Sequence, residues 1–178
     1  MSPLFLVVVA GAAALALSAS KTINTALKLD YRILKFQIYN FVKNGKIVFR
    51  LRLRFINPND RSINIQFLNI AAYWGAKYTK QDDKIISVES TGTHLTSIED
   101  NNGFVINANS TTDKDFYLEV KWVNILKILG TGIFNIITNN LTVNDFIGKP
   151  VLIKGTIKAE GFQIPVLTDV TITNADNN

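Results

Sequence analysis

The chain has 178 residues, of which 19 are Lys or Arg and 14 are Asp or Glu, so its formal net charge is +5 at neutral pH. This length allows one ordinary domain with a proper hydrophobic core in addition to a short appended segment. The complete lack of cysteine excludes disulfides, a thiolate nucleophile, a cysteine-based metal site and an acylated lipoprotein cysteine.

The N-terminal segment, residues 1–20, carries no charged side chain and contains an apolar run over residues 3–17. About 20 apolar residues are needed for a helix to cross a bilayer, so this segment predicts a transmembrane anchor. Its strongest lipid-seeking side chains together favour insertion by about −2.5 to −5 kcal/mol. A cleaved signal peptide and a helix buried in an assembly are the alternatives, although the basic region that usually opens a signal peptide is missing. The anchor residues are Leu4, Phe5, Leu6, Val7, Val8, Val9, Leu15 and Leu17.

Basic residues follow this segment at once and predict its orientation. Lys21, Lys28, Arg32 and Lys35 stand against a single acid, Asp30. The positive-inside rule then predicts a single-pass protein whose C-terminal domain lies on the cytoplasmic side, or faces the shell of a membrane-containing virion. A basic domain close to an anionic leaflet gains about 1 kcal/mol for each well-placed cation.

After a connecting segment, residues 21–33, the apolar period changes to two and predicts strands over residues 34–173. Asn44-Gly45 is a strong hairpin signal. One amphipathic helix is predicted at 122–139 from apolar residues at the helical period, and residues 174–178 read as a disordered tail. About seven strands with frequent turns predict an antiparallel sandwich or barrel. The turns include a bend at Gly75, a turn at 99–103 and a turn at Glu160-Gly161.

Several motifs in this order resemble the late embryogenesis abundant (LEA) type 2 family, also called LEA14-like or WHy-domain proteins. They are the alternating strand that ends in Asn57-Pro58-Asn59, the Ser/Thr segment leading into the strand 109–120, the helix around 125–137 and the closing hairpin with Gly155 and Pro165. The resemblance covers roughly residues 34–173. It implies a seven-stranded antiparallel β-sandwich of immunoglobulin-like or fibronectin-like architecture with one helix. It also implies no catalytic site and no obligatory cofactor, links to desiccation and stress protection, and frequent tethering to membranes.

The second predicted strand carries an unusual row of arginines. Arg50, Arg52 and Arg54 alternate with apolar residues, so all three guanidinium groups share one face of the sheet. Arginine suits phosphates and carboxylates, which predicts docking to lipid headgroups or an acidic partner. The competing interpretation is a solvated face whose arginines pair with cross-strand acids such as Glu119. Phe49 and Phe55 point to the opposite face, which disfavours stacking of nucleic acid bases.

Candidates for catalysis and metal binding are few. The single histidine, His94, lies in a Thr/Ser-rich stretch and cannot complete a catalytic triad by itself. The acid pairs Asp82-Asp83 and Glu99-Asp100 lie in turn-like segments and lack the alternate spacing of calcium ligands. We therefore predict no catalytic residue, no cofactor, no metal and no small-molecule substrate.

Together these patterns predict a non-enzymatic, membrane-anchored structural or scaffolding protein. The first hypothesis is a minor component of a membrane-associated assembly, such as a membrane-containing virus or phage particle. The alternatives are a cellular LEA type 2-like stress-protection protein at the membrane and a module that binds lipid or another apolar ligand. The expected partners are the lipid bilayer and other structural proteins of the assembly; self-association stays open, and nucleic acid is disfavoured.

Overall fold

The structure of the protein, a computed structural model, describes residues 28–41, 46–121, 124 and 143–174. These residues are mainly β, as predicted. A single turn of 3₁₀ helix, Val143–Asp145, precedes the ninth strand. The strands are β1 (Asp30–Phe41), β2 (Lys46–Asn57), β3 (Ile63–Trp74), β4 (Lys77–Gln81), β5 (Lys84–Ser90), β6 (Thr93–Asp100), β7 (Phe104–Ile106), β8 (Ser110–Lys121), β9 (Pro150–Ala159) and β10 (Phe162–Asn174).

Eight of these strands form one sheet in the order β6-β3-β9-β10-β1-β2-β8, with β7 also paired to β3, and β4 and β5 form a separate hairpin. The prediction of a seven-stranded, wholly antiparallel sandwich is therefore wrong in detail. β1 and β10 pair in parallel through residues 36–38 and 172–174. This short contact joins two antiparallel groups of strands. Alternation along a sequence identifies strands but does not reveal which strands meet at the edge of a layer.

The core lies inside this curled sheet and is built from the inward residue of each alternating pair. On β2 the inward residues Ile47, Leu51 and Leu53 are completely buried, as is Phe55. The Phe36 ring on β1 stacks on Phe49 with 5.0 Å between centroids. Each such side chain contributes about 1.5–3 kcal/mol by burial. Apolar and polar residues therefore alternate along the sequence because only one face of each strand is buried in the core.

The two end strands of the sheet, β6 and β8, approach each other. The buried Thr96 on β6 donates its hydroxyl to the Glu119 carbonyl on β8 at 2.8 Å. Beyond β8, the Asn124 side-chain amide donates to the Leu95 carbonyl at 3.1 Å. Side-chain bonds thus link edges that have no ladder between them, and the sheet curls around its core.

The predicted turns at Gly75 and at Glu160-Gly161 are present, and both use left-handed backbone. Gly75 has φ of 68°, and Glu160 and Gly161 have φ of 50° and 83°. The latter pair connects β9 to β10 as a two-residue hairpin, the geometry that right-twisted strands favour. Residues 101–103 form the predicted turn between β6 and β7, although β6 itself runs on to Asp100.

Some predictions concern residues outside the described part of the chain. These are the anchor at 1–20, the Asn44-Gly45 turn, the helix at 122–139 apart from Asn124, and the tail beyond residue 174. Within the described ranges, no helix has the length and apolar character needed to span a membrane. β1 starts at Asp30, inside the predicted connecting segment, and β10 continues to Asn174.

Candidate docking face on strands β1, β2 and β8

The outward face of β1, β2 and β8 carries the predicted arginine row and is called the docking face below. Register fixes its columns: Lys35, Arg52 and Asp115 lie side by side, and Gln37, Arg50 and Tyr117 form the next column. Cations outnumber acids on this face, so it is positive overall. The cations are Arg32, Lys35, Lys46, Arg50, Arg52, Arg54 and Lys121, and the acids are Asp30, Asp113, Asp115 and Glu119.

Two arginines of the row are held by acids of β8. Arg52 donates Nε and Nη2 to the two carboxylate oxygens of Asp115 at 2.6 and 2.7 Å. Arg54 makes the same bidentate contact with Asp113 at 2.8 and 2.9 Å. Planar guanidinium and carboxylate groups match in this geometry, which makes such pairs stronger than single contacts.

These pairs shift the titration of both partners. The hydrogen bonds from Arg52 and Arg54 lower the pKa of Asp115 and Asp113 below the ordinary carboxyl range. In return, the bond to Asp113 raises the pKa of Arg54. Cross-strand pairing was expected, but Glu119 is not the partner. Glu119 lies opposite Val48 and pairs with Lys46.

Arg50 is held differently from the other two arginines. Its Nη2 donates to the Gln37 side-chain oxygen, and the Gln37 amide nitrogen donates to the Asn174 carbonyl at 3.1 Å. Its guanidinium carbon lies 5.9 Å from the centroid of the Tyr39 ring. Arg50 Nε is buried and has no hydrogen-bond partner among the described residues. Arg50 therefore lacks the carboxylate that holds Arg52 and Arg54.

Two exposed tyrosines flank Arg50, and sequence reasoning missed them. Tyr39 is 53% exposed and Tyr117 is 47% exposed. Their rings meet edge to face at 4.9 Å. Tyr117 lies directly opposite Arg50, so alternation along β8 could have revealed it. Tyr39 continues the outward series of Lys35 and Gln37 and lies at the register shift between Ile38 and Asn40, so alternation along β1 could have revealed it as well.

Phe49 and Phe55 lie in the core, as predicted. The docking face thus combines a positive surplus with amphipathic tyrosine rings. Arg52 and Arg54 serve mainly to hold β2 to β8, and the other cations of the docking face surround them. Docking through Arg50, Arg52 and Arg54 stays a prediction.

The Asn57-Pro58-Asn59 motif is a buried hydrogen-bonding centre at the end of β2. The Asn57 side-chain nitrogen donates to the carbonyls of Arg61 and Asn107, each at 2.9 Å, and also to that of Ile106. Its side-chain oxygen accepts from the Asn59 backbone nitrogen at 3.0 Å and from the Asn59 side chain at 2.8 Å. One side chain therefore ties the turn after β2 to the segment before β8.

Gly155 and Pro165 lie close together in the closing hairpin. A Cβ on Gly155 would lie 2.1 Å from the Asn69 carbonyl oxygen of β3, a distance that no side chain tolerates. Gly155 opposes Val166 of β10, and Pro165 opposes Thr156. Both motif residues thus have structural reasons for their identity, and neither contacts the docking face.

The other candidate residues do not assemble into a chemical site. The His94 ring meets Tyr73 edge to face at 5.4 Å. Asp82 and Asp83 form the tip of the β4–β5 hairpin with φ of 48° and 60°. In the part of the chain that is described, no group of three or more His, Cys, Asp or Glu residues could hold a metal ion.

Comparison with known proteins gives no family. No family model matches the chain, and no curated protein matches it. Among solved structures, a protein from Archaeoglobus fulgidus is 12% identical with a TM-score of 0.44, covering 82% of this chain and 95% of that one. A putative LEA protein is 11% identical with a TM-score of 0.39, covering 93% and 84%. A solution structure from Arabidopsis thaliana is 13% identical with a TM-score of 0.35, covering 83% and 87%.

Proposed function

We propose that this chain is a non-enzymatic, LEA type 2-like β-domain that is anchored in a membrane by residues 1–20. It serves as a structural component of a membrane-associated assembly, with the docking face turned toward anionic lipid headgroups. The observation that carries the proposal is the docking face itself, with its surplus of cations around two exposed tyrosines.

The chain's order supports anchoring next to this face. β1 starts at Asp30, only a short connection after the apolar segment 1–20, and β1 is itself one of the three strands of the docking face. A tether this short keeps the face within reach of the bilayer at high local concentration. Lys21 and Lys28 add positive charge to the connection.

The chemistry of the face suits lipid headgroups. Tyrosine rings are amphipathic and favour the zone between water and hydrocarbon, and arginine donors match phosphate oxygens. Each cation brought to an anionic leaflet is worth about 1 kcal/mol. The bidentate pairs of β2 with β8 leave the net positive surplus of the face intact, because each pair is neutral.

The LEA-type assignment is supported by two motif positions that have physical roles. The Asn57 network closes the turn after β2, and Gly155 permits close approach of β9 to β3. Both roles concern the stability of the domain. Such stabilising roles suit a structural protein that keeps a rigid fold at a membrane surface. This is the basis for proposing a non-enzymatic function.

Alkaline carbonate extraction of membranes tests the anchor. We expect the full-length chain to stay in the membrane pellet. Release of the intact chain into the supernatant would contradict the anchor and leave the docking face to be tested separately.

Site-specific labelling tests the docking. The chain has no cysteine, so a single fluorescent label can be placed on Thr111→Cys on the docking face or on Asn64→Cys on the outer side of β3. In nanodiscs containing anionic lipid and headgroup quenchers, the Thr111 label should be quenched and the Asn64 label should not. Equal quenching at the two positions would contradict the proposed orientation.

Charge variants separate docking from ion pairing. Replacing Lys121 by Gln removes one positive charge without breaking an ion pair among the described residues, and should shift the docked-to-undocked equilibrium by about fivefold. The matched control, Arg52→Gln with Asp115→Asn, removes one neutral pair and should leave docking nearly unchanged. If the control weakens docking and the loss of surplus charge does not, the proposal is contradicted.

The other hypotheses correspond to different outcomes. Co-purification at fixed stoichiometry with a shell protein would support the virion or phage assembly. Protection of a reporter enzyme during drying would favour a stress protein, and bound lipid extracted from the purified domain would favour an apolar-ligand module.

A further inference from the structure

The turn between β6 and β7 is a bulge in one edge of the sheet. Both strands pair with the same edge of β3, and the last pair of β6 is Asp100 with Leu68, while the first pair of β7 is Phe104 with Ile65. Residues 101–103 therefore oppose only the two residues of β3 that lie between these pairs. Three residues against two is the arrangement of a β-bulge, in which the extra residue is left out of the ladder.

The bulge presents the Asn102 side chain to solvent. Asn102 is exposed, and its backbone N–H donates to Asp100 Oδ1 at 2.9 Å. The neighbouring Asn101 side-chain amide donates to Glu99 Oε1 at 3.1 Å, whereas no described residue forms a hydrogen bond with the Asn102 side-chain amide. The amide carbon of Asn102 is therefore open to attack.

Gly103 places an unshielded backbone nitrogen next to that amide. Its φ of 65° lies in the left-handed region, and a Cβ at this position would lie 2.6 Å from the Ile65 carbonyl oxygen, so the bulge requires glycine. A residue without a side chain also leaves free the path from its own nitrogen to the side chain before it. The packing of the bulge against β3 thus determines which residue follows Asn102.

We infer that Asn102 is a self-modification site, at which the chain converts its own asparagine to aspartate and isoaspartate through a succinimide. The Gly103 nitrogen gives its proton to a base from solvent and forms a bond to Asn102 Cγ. The bond from Cγ to the side-chain nitrogen breaks, and this nitrogen takes up a proton and leaves as ammonia. Water then opens the five-membered imide at either carbonyl. One water is consumed and one ammonia is released, with no change of oxidation state.

Other described asparagines lack this combination of features. Asn64 and Asn69 lie within β3, and each is followed by an isoleucine, whose branched side chain shields the nitrogen that would attack. Asn57 precedes a proline, which has no N–H to lose. Asn59 is only 8% exposed, and its side chain donates to the Asn57 side-chain oxygen. The structure therefore favours reaction at Asn102 over reaction at these four positions.

The two products affect the bulge differently. Aspartate adds a negative charge but keeps the backbone length, whereas isoaspartate also carries the side-chain methylene into the main chain. That longer linkage has to fit where Gly103 already approaches Ile65 closely. β7 follows immediately, with Phe104 meeting Phe55 edge to face at 5.2 Å and Ile106 completely buried. Isoaspartate should therefore loosen the pairing of β7 with β3.

The test incubates the folded, full-length chain in detergent and mildly alkaline buffer, and follows each asparagine by peptide mapping with mass spectrometry. We expect Asn102 to be converted at least about tenfold faster than Asn64 and Asn69, because only Asn102 is followed by glycine. Isoaspartate methyltransferase should label the peptide that contains residue 102. Conversion of Asn102 no faster than that of Asn64 and Asn69 would overturn the inference. The pair Asn44-Gly45 lies outside the described residues, and peptide mapping measures it separately.

Two matched variants assign the chemistry and its effect. Asn102→Gln keeps an amide but would need a six-membered imide, so labelling of this peptide should disappear; labelling that persists would overturn the assignment to Asn102. Asn102→Asp carries the new charge without the longer backbone. Amide hydrogen exchange at residues 104–106 should be faster in the isoaspartate form, purified by ion exchange, than in Asn102→Asp. Equal exchange rates would contradict the loosening of β7. None of these outcomes depends on membrane anchoring.

Discussion

Asn57 shows how one polar side chain can determine the course of two loops. It is 1% exposed, and its amide group makes five hydrogen bonds, all to the turn after β2 or to the segment before β8. Buried polar groups of this kind are costly when a partner is removed, since the remaining donors and acceptors stay desolvated. The motif therefore has a physical reason that is independent of any ligand.

We expect Asn57→Ala to lower the free energy of unfolding by about 2–4 kcal/mol, because it removes a buried amide that bonds three backbone carbonyls and the Asn59 backbone N–H. Urea denaturation measures this loss. Asn64→Ala on β3, whose side chain is exposed, is the control and should change stability by less than about 0.5 kcal/mol. Equal effects of the two substitutions would contradict the role given to Asn57.

Gly155 is a second position where one residue type is required. Gly155→Ala should destabilise the domain by about 1–3 kcal/mol, since its Cβ would meet the Asn69 carbonyl oxygen at 2.1 Å and force β9 away from β3. Thermal melting monitored by circular dichroism measures the loss. Lys154→Ala, at the neighbouring exposed position, should be nearly neutral, and a stable Gly155→Ala variant would show that the strands can separate without cost.

At the scale of elements, the contact between β2 and β8 combines a buried and a charged side. Ile47, Leu51 and Phe55 bury one side of β2, while Arg52 and Arg54 join Asp115 and Asp113 on the other. The alternation of β2 predicts both sides. The identity of the acids could not be predicted, because register is set by how β8 returns to β2 and a shift of two residues would have brought Asp113 or Tyr117 opposite Arg52.

These pairs make the stability of the domain depend on pH in the acid range. The lowered pKa values of Asp113 and Asp115 mean that the unfolded state binds protons more readily than the folded state. The contribution of the pairs is therefore complete above the ordinary carboxyl pKa and is lost as pH falls through the lowered values. Urea midpoints measured from pH 6 to pH 2 should fall on acidification.

The double variant Arg52→Gln with Asp115→Asn is the control for this pH dependence. It removes one titrating pair while keeping both side chains polar, so its stability should fall less steeply on acidification than that of the unchanged chain. Parallel curves for the two proteins would show that other carboxylates cause the acid sensitivity.

At the scale of the whole molecule, one core joins the two groups of strands. Phe36 on β1 and Phe49 on β2 belong to the same buried cluster as Ile70 on β3 and Ile153 on β9. Because these residues share one interior, the domain should unfold in a single transition although β1 and β10 share only a short ladder.

We expect Phe49→Ala to cost about 3–5 kcal/mol while keeping unfolding a single transition. With Trp122 replaced by Phe, the fluorescence of Trp74 at the end of β3 and far-ultraviolet circular dichroism should give the same urea midpoint. Separate midpoints would show that the two groups of strands unfold independently.

Sequence alone predicts the mainly β class, most of the inward and outward faces of the strands, and several of the turns; Leu34, predicted to face inward with Phe36, is exposed instead. The sequence could do so because these features depend on local periodicity and on residues such as Gly75 and Gly161 that favour particular backbone angles. Gly155 and Asn57 could be singled out as motif residues, but their roles could not be read from spacing alone.

The packed fold was needed to reveal the parallel contact of β1 with β10, the acid partners of Arg52 and Arg54, the tyrosines around Arg50 and the contact of the β4–β5 hairpin with Asp169 of β10. These features join residues far apart in the chain. Their geometry depends on register, register shifts and the curl of the sheet, which emerge when all strands pack around one core and which no local pattern encodes.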